Sequence, residues 1–200
     1  MPDYGTIADV SDTLRQVLTD ALLTLDPLNP PTAEVSDLQI DPPANPARVL
    51  IFLFEVVEDA SARNRPRVLS PSVPPTVPPT VSLKKPPMAL LLRYMLIPRS
   101  GDRLTDHRML GRAMQVLYDG AILSGTQLLG QLVGTDQALK VTLSPLTIEE
   151  RARVWYAIQK PYRLSITYEV RVVNLDAIAA EQLHVASQRS NRYLGPEAAQ

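Results

Sequence analysis

His107 and His184 are the chain's two histidines and the first places to look for metal or general-base chemistry. Neither has a second histidine or a carboxylate at ligand spacing, so both read as solvated or locally bonded side chains. The stretch GTQLLGQL, residues 125–132, opens with the Gly-x-x-x-x-Gly spacing of a loop that wraps phosphates in backbone N–H groups. Gln131 and Leu132 then stand where such a loop needs Lys and Ser or Thr, so the cation and the magnesium-binding hydroxyl are missing and the glycines read as turn residues. Ser124 has no nearby base, and no Gly-x-Ser-x-Gly elbow occurs. Glu149 and Glu150 lie side by side, but they open a helix whose dipole and cap account for them. With no cysteine in the chain, disulfides, thiolate metal sites and a Cys nucleophile are excluded. These readings point away from an enzyme, and none calls for a cofactor or a metal.

What is left suits contact with other proteins. Arg63, Arg65 and Arg67 alternate with other residues just after a strongly apolar run. They read as a solvated loop or, since arginine forks are enriched at interfaces, as a docking surface. The segment SPSVPPTVPPTVSLKKPP, residues 70–87, repeats Val-Pro-Pro-Thr in tandem. Pro74, Pro75, Pro78 and Pro79 give it the Pro-x-x-Pro spacing of polyproline ligands, a spacing common by chance. The preferred reading is a stiff, extended intradomain loop; use at an assembly interface and a genuine polyproline ligand are the alternatives. Leu183 and Val185 fall in a polar tail, 176–200, expected as an extended arm with one edge strand near Leu183–Gln188. Trp155, Tyr156 and Tyr162 are expected to pack in the core.

These residues must be held by regular elements. Ile7, Val10, Leu14, Val17, Leu18 and Ala21 recur at helical spacing, predicting a helix over Thr6–Leu23 with Thr6 as N-cap. A short strand is expected around Glu34–Ile40. RVLIFLFEVVED (48–59) and PMALLLRYMLIP (87–98) are apolar on both alternating faces and read as strands covered on both sides. A helix over Thr105–Asp119, with Leu110, Ala113, Met114 and Leu117 inward and Gly120 at its C-terminus, precedes a Gly-rich connection and the strand LKVTLS. Thr147 and Glu150 form a capping box that opens a helix over Ile148–Ile158, with Ile148, Ala152 and Trp155 on one face. YRLSITYEVRVVNL follows as the longest strand, with Leu164, Ile166, Tyr168, Val170 and Val172 alternating. The element order predicts an α+β (or α/β) domain, a mixed β-sheet flanked by helices, over residues 1–175.

Composition narrows the function classes. At 200 residues and 45% apolar, the chain is long and greasy enough for one substantial core. Twenty cations against twenty-one anions leave too little positive charge for tight nucleic-acid binding. The acidic N-terminus does not resemble a signal peptide, and the longest apolar run, Val49–Phe54, is far short of a membrane span. A soluble protein first used in the cytoplasm is expected, with no direct membrane insertion.

Five segments occur in family order and together carry a resemblance: IADVSDTLRQVL, LIFLFEVVEDASARN, PPMALLLRYML, LGRAMQVLYDGAILSG and LKVTLSPLTIEERARVWYAIQKPYRLSITYEVRVV. They cover about Ile7 to Asn174. The set resembles the tail-terminator or cap family of phage-tail-like contractile injection systems, typified by antifeeding-prophage and virulence-cassette particles. The resemblance implies a tail-terminator-like fold and a structural role. A ring, expected to be a hexamer, would close the inner tube and sheath at the end distal to the baseplate, with tube and sheath proteins as partners. Such a subunit is assembled in the cytoplasm and then belongs to the particle, whether released or cell-bound. An adaptor or anchor joining the particle end to another particle or cell-envelope component is the alternative, and a non-catalytic peptide-binding domain or an unrecognised enzyme the second.

Overall fold

The structure is a computed structural model and describes residues 4–40, 43–62, 68–71, 80–84, 86–175 and 180–184. The chain divides into two compact units, Met1–Asn64 with Pro87–Asp176, and Arg65–Pro86 with Ala177–Gln200.

The larger unit is built on β5, Met88–Arg99, where every residue except Met88, Arg93 and Arg99 is buried. A strand so uniformly apolar is stable only with neighbours on both edges and cover on both faces. On one edge it pairs antiparallel with β2, Arg48–Glu58, and on the other with β8, Ile166–Leu175. Outside these lie β1 (Thr32–Val35), parallel to β2, and β7 (Ala138–Leu143) and β6 (Ile122–Ser124), both antiparallel. The sheet order is β1-β2-β5-β8-β7-β6, and the single parallel pair makes it mixed, as the sequence predicts.

One face carries α1, Thr6–Leu22, and α2, Arg103–Asp119. Val10, Leu14, Leu18 and Leu22 of α1 and Met109, Ala113 and Leu117 of α2 pack on Val49, Ile51, Leu92, Tyr94, Leu96 and Val170. Polar groups on this buried side of α1 are matched. Thr13 Oγ1 donates to Asp9 O at 2.7 Å and accepts from Leu129 N at 3.1 Å, while Thr19 Oγ1 accepts from Ala33 N at 3.2 Å. Such bonds spare α1 the cost of an orphaned buried hydroxyl. The other face holds a smaller cluster, Leu38, Leu50, Met95, Ile97 and Trp155, covered by α3, Ile148–Ala157.

Several boundaries differ from the sequence reading. The N-cap of α1 is Gly5, and Thr6 is the first helical residue, fully buried. The first strand lies at Thr32–Val35, because Ser36 and Asp37 accept from the amides two residues on and turn the chain out of the sheet. Asp102 caps α2 through its carboxylate to Thr105 N at 2.8 Å, starting the helix two residues early. Packing on the sheet puts Met109 with Ala113 and Leu117 inward while Met114 stays exposed. The Gly-rich connection contains β6. On α3 the buried side is Arg151, Val154, Trp155 and Ile158, whereas Ile148 is 64% exposed and Ala152 is also outside. One residue is 100° of helix, so Trp155 lies about 20° from Ile148. The buried side is centred about 70° round from Ile148, toward Arg151 and Ile158, which leaves Ile148 at its edge and Ala152 beyond it.

The smaller unit is a three-stranded antiparallel sheet, β3 (Val68–Pro71), β4 (Thr80–Lys84) and β9 (Ala180–His184), in that order. Of the 70–87 stretch expected as an extended loop, the described residues Ser70–Pro71 and Thr80–Lys84 are strand residues, and β3 and β4 pair antiparallel. The edge strand of the tail ends at His184 and pairs with β4, Leu183 opposite Val81. Strap and tail, which read as separate appendages, share one sheet.

Candidate functional site

The residues with chemical side chains are scattered. His107 is exposed on α2, and His184 stands opposite Thr80 in the smaller sheet. Among the described residues, no three His, Asp or Glu side chains are gathered closely enough to hold a metal ion, and no helix is long and apolar enough to cross a membrane. Of the partner-contact candidates, Leu183 lies in β9. Arg63, Arg65, Arg67, Pro74, Pro75, Pro78, Pro79 and Val185 lie outside the described residues.

The phosphate-loop look-alike has an internal use. Residues 125–132 fold as two short 3-10 turns against α1, and Gln131 N donates to the Asp9 carboxylate at 3.0 Å. Gly130 has φ +60, and a Cβ there would fall on that carboxylate. The backbone that would cradle a phosphate is thus occupied by an acid of the chain itself. Glu150 completes the capping box, accepting from Thr147 N at 2.7 Å, and hydrogen bonds from the Thr147 backbone and hydroxyl hold its carboxyl below the usual range. Trp155 is buried, with Nε1 donating to Ser165 Oγ at 3.4 Å and its ring edge-on to Tyr162 at 6.4 Å. Tyr162 touches the indole but is itself 45% exposed, not packed in the core as expected, and Tyr156 is not in that cluster. It follows Trp155 by one helical step and is 85% exposed, against the expectation of core packing.

A charged strip crosses the sheet on the same face as Trp155. Side chains alternate along β5, so Arg93 follows Ile97 and Met95 on that face. Phe54 is the extra residue of a β-bulge, after which Glu55 pairs with Arg93 in register. Arg93 Nη1 meets Glu55 Oε2 at 2.6 Å and Nε meets Glu169 Oε1 at 3.1 Å, while Arg171 Nη2 meets Glu169 Oε2 at 3.0 Å. Burial works to raise the Glu169 carboxyl, but hydrogen bonds from Arg171 and Arg93 outweigh it and hold the group below its ordinary value. The Arg93 guanidinium is held more firmly protonated, chiefly by its bond to Glu55. The sequence shows Arg93 only as a break in an apolar run; the two acids it joins come from strands far apart in the chain.

Replacing Arg93 with methionine leaves Glu55 and Glu169 facing each other, and is expected to cost about 1–3 kcal/mol at pH 7. A carboxyl whose folded pKa is depressed contributes stability above its unfolded value, ordinarily 4.5, and loses it as pH falls through the folded pKa. The difference between the two proteins should therefore shrink below about pH 4.5. Urea midpoints across pH 3–7 measure it, and a constant difference would refute the role of the acids.

At the end of the sheet where β5 passes into α2, a cleft of about 590 Å³ is lined by Arg99, Arg103 and Arg163 with Asp106, Ala44 and Tyr162 among others. This cleft, the charged strip and the exposed sides of α2 and α3 describe, among the described residues, a surface of charged and apolar patches.

A family model for the Pvc16 N-terminal domain matches residues 9–186. Among solved structures, the sheath/tube terminator of an extracellular contractile injection system, PVC, in its extended state is similar over 97% of this chain and 65% of that one, with TM-score 0.66 and 15% identity. The tube-terminating cap of the anti-feeding prophage is similar over 93% of this chain and 61% of that one, with TM-score 0.60 and 14% identity. The chain thus spans a little under two thirds of the length of each. No curated protein sequence matches. At these identities the likeness is one of fold.

Proposed function

The chain belongs to the Pvc16 N-terminal domain family, and from that premise we propose that it is a structural terminator subunit of a contractile injection system. In this reading six copies form a ring that closes the inner tube and sheath at the end distal to the baseplate. The observation that carries it is the fold, shared with the PVC terminator over 97% of the chain at TM-score 0.66. A non-catalytic role agrees with the way the chain's polar groups are used: the glycine loop holds Asp9, Glu150 caps a helix, and Arg93 ties three strands together. In this reading residues 1–175 are the terminator-like domain, with the 70–87 loop counted as part of it, and the 176–200 segment contributes β9 to the same small sheet as that loop. The arginines 63, 65 and 67, the strap prolines and Leu183 and Val185 face its partners. The ring assembles in the cytoplasm and then stays with the particle.

Deleting the gene from a producing strain tests this. Particles imaged without the subunit should show open tubes of uneven length, restored by the gene in trans. Capped tubes of normal length would overturn the reading.

A further inference from the structure

The cleft of about 590 Å³ at the start of α2 has the size of a ligand site and is built from three separate parts of the larger unit. These are the end of β5 with the turn into α2, the 161–164 connection from α3 to β8, and Ala44 ahead of β2. Gly101, at φ +80, makes the turn, and a Cβ on it would stand 3.3 Å from the Ala44 Cβ, so two of the three parts meet closely.

Arg99 from the end of β5, Arg103 from the first turn of α2 and Arg163 from the connection all line this cleft, against one lining carboxylate, Asp106. Arg103 is exposed, while Arg99 and Arg163 are half-buried and each already engages another group. A guanidinium carries several N–H donors in a fixed fork, so one held by a neighbour is oriented and still has donors for a second acceptor. The acids nearby are committed within the chain. Asp106 accepts from Ser100 Oγ at 2.8 Å, and Asp102, beside the cleft, caps α2 through Thr105 N at 2.8 Å.

The rest of the lining includes Pro98, Pro161 and Leu164, with Tyr162, 45% exposed, adding a ring and a hydroxyl. Cationic forks beside apolar walls suit carboxylates carried on a polypeptide, whose other residues can cover those walls. A free phosphate would leave them wet, and with nearly two charges it would be repelled more strongly by Asp106 than a carboxylate is.

We infer that this cleft docks an acidic peptide segment of a partner protein. Arg99, Arg103 and Arg163 take its carboxylates, and Tyr162 and Leu164 pack on the residues between them. The inference stands apart from the ring reading, since a single subunit carries the whole cleft.

Fluorescence anisotropy of the purified chain with a fluorescein-labelled peptide of alternating glutamate and alanine tests it. The glutamate peptide should bind, and its glutamine counterpart should bind at least tenfold more weakly. Arg103→Gln together with Arg163→Gln should weaken the glutamate peptide about tenfold or more. Asp106→Asn, which keeps an oxygen for Ser100, should tighten it. Arg103→Gln alone alters an exposed side chain, so it should melt within about 2 °C of the parent and still bind measurably less. Inorganic phosphate should displace the peptide no better than acetate does at equal ionic strength. No binding of the glutamate peptide, or binding untouched by the arginine changes, would overturn the assignment. Displacement by phosphate far below the acetate concentration required would overturn it too, and would mark a simple anion pocket.

Discussion

Trp155→Ala is expected to destabilise the larger unit by about 3–5 kcal/mol, among the largest effects of any single truncation in the chain. Trp155 is the one fully buried side chain of α3, and it closes a small cluster with Leu38, Leu50, Met95 and Ile97. A ten-residue helix does not hold itself together in water, so α3 keeps its place through that anchor and its capping box. Removing the indole opens a cavity and also strips Ser165, itself fully buried, of a hydrogen-bond donor. Trp155→Phe keeps most of the apolar volume and is expected to cost less, about 1–2 kcal/mol. Denaturant midpoints followed by circular dichroism give both values. A loss under 1 kcal/mol for the alanine variant would mean that α3 is held by something other than this cluster.

How much of this could be read from the sequence depends on how local the cause is. The capping box Thr147/Glu150, the end of α2 at Gly120 and the two apolar strands are set by neighbouring residues, and the structure has each where the spacing puts it. The buried side of α3 was harder to see. Ile148 and Ala152 satisfy the helical period as well as Val154 and Ile158 do, and only the position of the sheet decides between them. The bulge at Phe54 and the triad of Glu55, Arg93 and Glu169 were hidden for the same reason, since they depend on register between distant strands. The pairing of β4 with β9 spans about a hundred residues, and no local pattern announces it.

The candidate contact surface divides in the same way. The sequence directs attention to Arg63, Arg65, Arg67 and the strap prolines because they are compositionally unusual. The exposed stripes on α2 and α3 carry no such mark, because only the position of the sheet decides which side of each helix stays outside.

Alkaline pH gives the second large effect. Tyr94 is fully buried at the centre of β5, its hydroxyl 2.9 Å from Ser11 Oγ, which in turn donates to Ile7 O at 3.0 Å. Burial pushes the phenol from its ordinary 10.0 up to about 12, against a smaller opposing pull from Ser11. A raised folded pKa means that the neutral phenol is favoured in the native state. Its contribution is complete below pH 10, where the unfolded chain is also neutral, and is lost as pH rises toward 12. By pH 11 the loss should reach roughly 1.4 kcal/mol from this residue alone. Tyr94→Phe cannot ionise, and at neutral pH should cost about 1 kcal/mol for one lost hydrogen bond, since Ser11 keeps its bond to Ile7. The stability curves of parent and variant should therefore run apart at pH 8 and converge near pH 11. Tyr168, whose phenol is also raised by burial, is present in both proteins and cancels in the difference. Urea midpoints of the two proteins at half-unit steps from pH 8 to 11 decide the matter. Parallel curves across that range would show that the Tyr94 hydroxyl does not stay neutral through burial, and the bond from β5 to α1 would lose its place as the polar lock of the core.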